Sequence, residues 1–168
     1  RDFVDEFSDL DMVVFLHKKD KGLVKEIRNI GSKVRGSSGI DLDLEIYPLD
    51  VMRTEKWDEM ERWDFSNSKT AFDPDGEIDL LLREKLRVPR NYWVRRIVIN
   101  AEHLKWYCCT EEAGAIAEAW ISRGDCVSAH YCLTYSVDLM LRILFALNKE
   151  FVPPQKWTIF YSYSLKWL

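Results

Sequence analysis

The sequence predicts an α+β protein, in which a small mixed-sheet core is followed by a C-terminal helical bundle. Three observations predict this class. An apolar run with two valines covers residues 11–16, and a segment of strictly alternating polarity covers residues 40–47. After residue 90, by contrast, apolar residues recur at helical spacing over long stretches. We therefore expect an α/β domain over residues 1–86 and a helical domain over residues 87–168.

The first strand is expected at residues 11–16 as a mostly buried strand, entered through the alternating Asp9, Leu10 and Asp11. A helix should follow, because four apolar residues recur at helical spacing: Leu23, Val24, Ile27 and Ile30. Gly31 is the expected stop of this helix, and residues 36–39 are expected to form a loop.

The second strand, residues 40–47, alternates between two faces. Its apolar face consists of Ile40, Leu42, Leu44 and Ile46, and its polar face consists of Asp41, Asp43, Glu45 and Tyr47. One charged helix is expected at residues 49–63, followed by an irregular segment at residues 66–76. The run from Asp73 through Pro74 to Gly76 is typical of a tight turn.

The second half is expected to be helical throughout. Residues 91–122 carry an apolar stripe, Gly124 is the expected stop, and Asp125 is the expected N-cap of the next helix. The apolar stripe of that next helix consists of Leu133, Val137, Met140, Leu141, Leu144 and Leu147. Pro153 and Pro154 should end it, and a last helix is expected at residues 157–168.

Composition limits the function. The chain has 168 residues, of which 47% are apolar and 31% are charged, so a disordered chain is excluded. The formal net charge of −4 disfavours sequence-independent binding to nucleic acid. No apolar run approaches the roughly 18 residues of a membrane-spanning helix, and the cysteines lack the spacing of a zinc site. We expect a cytoplasmic protein that does not contact membranes.

The acidic residues of the two strands are the candidates for binding a metal ion. Asp9 and Asp11 are two residues apart on the first strand, so their side chains point to one face, and the same holds for Asp43 and Glu45 on the second. Like charges this close are unfavourable unless a cation or a proton is shared. If the strands are neighbours, the carboxylates suit a hard divalent cation such as Mg²⁺. The alternative is an ordinary acidic strand face in contact with water.

Ser8-Asp9-Leu10-Asp11 before the valine run, followed by Glu45 on a later strand, resembles the nucleotidyltransferase superfamily with the DNA polymerase beta-like core. The turn from Phe72 to Gly76 resembles the aminoglycoside (kanamycin) nucleotidyltransferase branch. The helical half resembles the C-terminal domain of small proteins of this type. In the family, a Gly-Ser loop precedes the first acid and holds the nucleotide phosphates. This chain lacks that loop, and we expect it to lie in a segment that precedes Arg1.

The resemblance implies a role for each candidate residue. Asp9 and Asp11 match the two catalytic metal ligands, and the third ligand is Glu45 or Asp43, with the spacing to the following helix favouring Glu45. The implied cofactor is Mg²⁺ or Mn²⁺. Four residues are candidates for holding the nucleotide: Ser8, Arg142, Lys149 and Lys156. Candidates for the general base are Glu118, Asp125, Asp138 and His130. Asp138 stands four residues before Arg142, which favours an ordinary helix ion pair, and His130 is favoured as an ordinary helix histidine with satisfied hydrogen bonds rather than as a base.

Two functions remain open at this point. The first is an enzyme that transfers a nucleoside monophosphate from ATP or another NTP to a hydroxyl group. Its acceptor would be an aminoglycoside-like small molecule, or alternatively a protein or tRNA. The second is a non-catalytic or antitoxin-like interaction protein that retains the same fold, with aromatic side chains at its interface. A homodimer is expected among the partners.

Overall fold

The computed structural model describes residues 8–18, 20–108 and 115–166. They form ten elements in the order β1 (Leu10–Leu16), α1 (Lys21–Ser38), β2 (Leu42–Pro48), α2 (Leu49–Thr54), α3 (Glu59–Ser66), α4 (Glu77–Leu86), α5 (Tyr92–Cys108), α6 (Ile116–Ser122), α7 (Cys126–Leu147) and α8 (Gln155–Ser162). The predicted α+β class is confirmed, with both described strands in the first part of the chain. These strands form a parallel pair rather than the predicted mixed sheet.

The chain packs as two compact units. The first unit consists of Arg1–Lys56 and Thr70–Leu81, and the second consists of Trp57–Lys69 and Leu82–Leu168. The segment Trp57–Lys69, which includes α3, therefore packs with the helical part of the chain rather than with the strands. Each unit thus consists of two separate stretches of the sequence, whereas the prediction has a single domain boundary after residue 86.

The described sheet of the first unit consists of β1 and β2, which pair in parallel. The predicted alternation of β2 is confirmed, since its apolar residues are half-buried and its acidic residues exposed. The expectation of a mostly buried β1 is wrong. Leu10 is 45% exposed and Met12 is 42% exposed, and only Leu16 at the end of the strand is buried. The reason is that β2 is the one neighbour of β1 among the described residues, and α1 packs against β2.

Helix α1 is longer than its sequence pattern predicts. Asp20 begins it, because its carboxylate accepts hydrogen bonds from the backbone of Gly22 and Leu23. The helix continues through Gly31, the expected stop, and ends at Gly39, whose φ of 70° lies in the left-handed region. Gly31 has another role. A Cβ atom there would lie 3.0 Å from Leu44 Cδ2, so glycine allows α1 to approach β2 closely.

The single helix predicted at residues 49–63 is in fact two helices, α2 and α3. The break occurs because Asp58 forms a capping box that begins α3. Its carboxylate accepts from the backbone N–H of Glu61 at 2.8 Å, and the Glu61 carboxylate accepts from the backbone N–H of Asp58 at 2.7 Å. The spacing of Asp58 and Glu61, an acid followed three residues later by Glu, is a sequence signal for the start of a helix.

The turn predicted at Asp73–Gly76 is confirmed, and it begins a helix that the sequence analysis missed. The N–H of Gly76 donates to the carbonyl of Asp73, and Gly76 has a φ of 70°. The Asp73 carboxylate then accepts from the backbone N–H groups of Ile78 and Asp79, in the first turn of α4. These bonds hold the pKa of Asp73 below its usual range.

Helix α7 begins where the sequence predicts. Gly124, with a φ of 78°, follows α6, and Asp125 caps α7 by accepting from the backbone N–H of Ser128 at 2.9 Å. Its end differs from the prediction. The helix stops at Asn148 and Lys149, where Lys149 adopts a left-handed φ of 58°, and the backbone N–H of Glu150 donates to the carbonyl of Phe145. Pro153 and Pro154 instead lead into α8.

The predicted helix over residues 91–122 appears as α5 and α6, and residues 109–114 between them lie outside the described part. The last helix, predicted at residues 157–168, begins two residues earlier and ends at Ser162, while Trp167 and Leu168 lie outside the described residues.

The core of the second unit forms around α7. Phe145 is 2% exposed and packs with Val152 and Leu165. Aromatic side chains add to this packing, as the ring centroids of Trp63 and Tyr161 lie 5.0 Å apart in an edge-to-face arrangement. No helix in the described part of the chain is both long enough and apolar enough to cross a membrane.

Candidate active site

The register of the sheet brings acidic residues of the two strands side by side. Asp11 on β1 pairs with Asp43 on β2, and Val13 pairs with Glu45. Residues paired across neighbouring strands point to the same face, and such strands lie about 4.8 Å apart. Asp11, Asp43 and Glu45 therefore share one face of the sheet, on the side opposite to the apolar residues Leu42 and Leu44 that approach α1.

Asp9 and Ser8 lie immediately before β1, which begins at Leu10. The backbone N–H of Leu10 donates to the carbonyl of Asp41 at 2.8 Å, so the pairing with the second strand already begins here. Asp9 is exposed and Ser8 is half-buried. The four candidate metal ligands thus belong to the start of β1 and the first half of β2.

Two acids of this region have side-chain partners: Asp41, which is next to the candidate ligands, and Glu45, which is one of them. Asp41 forms an ion pair with Arg35 from the last turn of α1, and Arg35 also donates to the carbonyl of Leu42. The Tyr47 hydroxyl donates to the Glu45 carboxylate at 3.0 Å. The Asp43 carboxylate, in contrast, forms no hydrogen bond or ion pair with any side chain among the described residues. Glu45 is therefore oriented by a side chain on its own strand, whereas Asp43 is paired across the sheet with a second acid, Asp11.

The donor chemistry of these acids fits a hard divalent cation, since Mg²⁺ prefers carboxylate oxygens and keeps several waters. All four carboxylates are exposed, so water screens their mutual repulsion. No group of three or more His, Cys, Asp or Glu side chains within the described residues is placed so that it could hold a metal ion. The face therefore supplies the right donors, and their side-chain rotamers would have to turn to form a three-ligand set.

The candidate cations of the second unit differ in their surroundings. Arg142 donates to Asp138 at 2.7 Å, which is the helix ion pair that the spacing of four residues favours. Lys149 lies at the C-terminal end of α7 in its left-handed conformation. The ammonium group of Lys156 lies 5.8 Å from the centre of the Trp157 ring. Both lysines are exposed.

The candidate general bases differ in their surroundings. Asp125 caps α7 and accepts from both the backbone and the hydroxyl of Ser128, which hold its pKa below the usual range. This makes Asp125 a weak base. Asp138 is paired with Arg142. Glu118 in the first turn of α6 and His130 on α7 are both exposed.

A further charged group, which the sequence analysis did not identify, lies in the first unit. The Glu77 carboxylate lies 3.3 Å from Nδ1 of His17 and 3.6 Å from Arg53. His17 follows directly on the C-terminal end of β1, the edge where ligands commonly bind in open parallel sheets. No sequence pattern joins these residues, because Glu77 is distant from both along the chain.

A family model described as "Domain of unknown function (DUF4037)" matches residues 57–158. This stretch begins with the first residue of the second unit and extends into α8. It does not include β1, β2 or the acids that they carry. The chain matches none of the curated proteins and none of the solved structures.

Proposed function

The chain belongs to the DUF4037 family, and we propose that it is a metal-dependent nucleotidyltransferase that transfers a nucleoside monophosphate from ATP or another NTP to an acceptor hydroxyl. The observation that carries the proposal is the parallel register of β1 and β2, which places Asp11 beside Asp43 and puts Glu45 on the same face. Asp9 and Ser8 immediately precede the strand. In this proposal, the two strands belong to a core of the type found in the nucleotidyltransferase superfamily, which the sequence resembles.

The proposal assigns Asp9, Asp11 and Glu45 as the ligands of Mg²⁺ or Mn²⁺, with Asp43 as the alternative to Glu45. Bound there, the metal ion would supply charge neutralisation for the triphosphate and for the attacking oxygen. The exposure of the acids supports this assignment, because a solvent-borne nucleotide can reach them.

The resemblance assigns the positive charge that neutralises the triphosphate to Arg142, Lys149 and Lys156. Lys149 and Lys156 are the stronger candidates, because their ammonium groups are exposed and neither forms an ion pair with an acid within the described residues. Arg142 is held by Asp138, so its role in binding would require that pair to open. Among the candidate bases we favour Glu118 and His130, since Asp125 and Asp138 are engaged by neighbouring side chains.

We propose a cationic small molecule of the aminoglycoside type as the acceptor class. The chain has a formal net charge of −4, and an acidic protein attracts a polycation more readily than it attracts RNA. A protein or tRNA acceptor is the competing outcome of the same assay. A cytoplasmic location, where NTPs are available, accords with this activity.

The test is transfer of label from α-³²P-ATP by the full-length protein, with Mg²⁺ and a panel of acceptors that includes an aminoglycoside, protein and tRNA. We expect Asp11→Asn to lower the rate by at least about a hundredfold, because a first ligand of the metal is lost. Asp41→Asn is the matched control, since Asp41 is an acid near the same strand that is already paired with Arg35. We expect it to retain the activity within about threefold.

Two outcomes would contradict this proposal. One is label transfer by Asp11→Asn at the rate of the unmodified protein. The other is the absence of transfer to every acceptor and with every NTP. That second result would favour the interaction protein with the same fold.

A further inference from the structure

Three helices of the second unit each carry a half-buried arginine: Arg62 on α3, Arg96 on α5 and Arg142 on α7. Two of these side chains have an acidic partner, since Arg96 pairs with Glu59 and Arg142 pairs with Asp138. We name the three residues the arginine cluster. Their surroundings in the second unit show what the cluster can bind.

The Glu59 carboxylate lies beside two members of the arginine cluster. Glu59 and Arg62 are three residues apart on α3, so their side chains are neighbours on one face of that helix. The Glu59 side chain is 14% exposed, and it accepts a hydrogen bond from Nε of Arg96 at 3.3 Å. Arg62 and Arg96 are therefore both close to one carboxylate, and that carboxylate pairs with Arg96 alone.

Two aromatic rings in contact with each other connect the same two arginines. The guanidinium carbon of Arg62 lies 5.9 Å from the centre of the Phe151 ring, and that of Arg96 lies 5.8 Å from the centre of the Tyr92 ring. The centroids of these two rings are 6.2 Å apart. Each guanidinium group is thus held against an aromatic ring, which positions it before a ligand binds.

The positive charge of the arginine cluster exceeds the charge of its acidic partners. Arg62 donates to the backbone carbonyl groups of Trp57 and Lys85, and within the described residues it has no acidic partner. The pKa of Arg96 is lowered, because burial disfavours its charge and because the charge of Arg142 repels it. Neighbouring like charges are unfavourable unless an anion is shared. The arginine cluster therefore favours the binding of an anion.

Two terminal nitrogens of the arginine cluster have N–H groups available for such an anion. Within the described part of the chain, no hydrogen bond or ion pair uses Nη2 of Arg62 or Nη1 of Arg96. Guanidinium groups bind phosphate oxygens in a forked geometry. A terminal phosphate group offers three acceptor oxygens to two guanidinium groups, whereas a carboxylate offers only two.

We propose that Arg62 and Arg96 bind a phosphate group of an anionic ligand, while Arg142 stays paired with Asp138 and adds its positive charge. Such binding goes beyond the proposed function, because it requires neither a metal ion nor the transfer of a nucleotide. All residues of this phosphate site belong to the second unit and lie within the family match over residues 57–158.

The test is isothermal titration calorimetry of inorganic triphosphate into the full-length protein, with EDTA present to remove divalent cations. We expect saturable binding of triphosphate, and binding of citrate that is weaker by at least about fivefold, because its carboxylates offer fewer oxygens to each pair of guanidinium groups. Since no divalent cation is present, the result does not depend on the proposed metal ligands of the first unit.

Arg62→Gln is the main variant, because it removes one positive charge without leaving an acid unpaired. It should weaken triphosphate binding by at least about tenfold. Arg123→Gln is the matched control, since Arg123 is an exposed arginine of the same unit that lies over the Trp120 ring. Arg123 precedes α7, and from the first residue of α7 to Arg142 the helix rises by about 24 Å. We expect this control to bind within about twofold of the unmodified protein.

Circular dichroism of both variants should show the helical signal of the unmodified protein. If Arg62→Gln loses that signal, Arg96→Lys is the second variant, because lysine keeps a charge for Glu59 but lacks the forked donors. It should weaken binding by at least about threefold. Absence of triphosphate binding by the unmodified protein would overturn the proposal. A folded Arg62→Gln or Arg96→Lys protein that binds as tightly as Arg123→Gln would overturn it too, as would citrate binding as tight as that of triphosphate.

Discussion

Short polar side chains decide where several helices of this protein begin. Asp20, Asp58, Asp73 and Asp125 each accept hydrogen bonds from backbone N–H groups at a helix start. At Asp73 and Asp125 these bonds lower the pKa of the carboxyl group. The ionised form of each is thus favoured by folding, which couples helix stability to pH.

The Asp125 cap gives a pH-dependent prediction. Because its pKa is lower in the folded chain than in the unfolded chain, its charge stabilises the fold above about pH 4, the usual aspartate range. That contribution is lost as the pH falls through the lowered pKa. Asp125→Asn keeps a capping side chain but does not titrate. We expect the urea midpoint of the unmodified protein to exceed that of Asp125→Asn at pH 6, and the difference to shrink steadily toward pH 2.

The measurement is helical circular dichroism during urea unfolding at each pH. Ser128→Ala is a useful comparison, because it removes the side-chain hydrogen bond to Asp125 and leaves the backbone bond in place. A difference between the unmodified protein and Asp125→Asn that stays constant with pH would contradict the proposed role of the carboxylate charge.

The two strands could be predicted because their signal is local. The alternation of β2 and the valine run of β1 are visible in a few consecutive residues. The helix boundaries were harder to predict. Glycine commonly ends helices, which predicts a stop at Gly31, but its role is set by Leu44, a residue of the next strand. The end of α7 at Lys149 has no local sequence signal, because a non-glycine residue adopts the left-handed conformation there.

The role of Gly31 can be tested against a second glycine of α1. A Cβ at Gly36 would meet nothing within 4 Å, whereas at Gly31 it would lie 3.0 Å from Leu44 Cδ2. We expect Gly36→Ala to stabilise the first unit by about 0.5–1 kcal/mol, since alanine favours the helix. Gly31→Ala should gain clearly less or should destabilise the unit, because Leu44 has to move. Thermal unfolding of the two variants gives the comparison, and an equal gain at both positions would contradict close packing of α1 on β2.

The candidate site was only partly predictable from the sequence. The sharing of one face by Asp43 and Glu45 follows from the spacing of two residues, which is a property of any strand. The pairing of Asp11 with Asp43 is a property of the register, and it required the structure. Asp125 is hydrogen-bonded to Ser128 and Arg142 is paired with Asp138. These contacts leave fewer candidates for the general base and for the nucleotide-binding cations. The group of His17, Arg53 and Glu77 joins parts of the chain that no local pattern relates.

For the molecule as a whole, the proposed metal ligands and the family match lie in different parts of the chain. The proposed metal ligands lie in the first unit, while the DUF4037 match covers residues 57–158 and most of the second. The proposed metal ligands therefore lie outside the family match, whereas the candidate nucleotide-binding residues Arg142, Lys149 and Lys156 lie within it.

The central claim is that the acidic face of the sheet binds a divalent cation, and the direct measurement is Mn²⁺ binding followed by electron paramagnetic resonance on the full-length protein with a non-hydrolysable NTP. We expect the unmodified protein and Asp41→Asn to bind Mn²⁺ alike. Asp11→Asn should bind at least about tenfold more weakly, because one carboxylate ligand is lost. Equal binding by Asp11→Asn, or no binding by the unmodified protein, would contradict the claim.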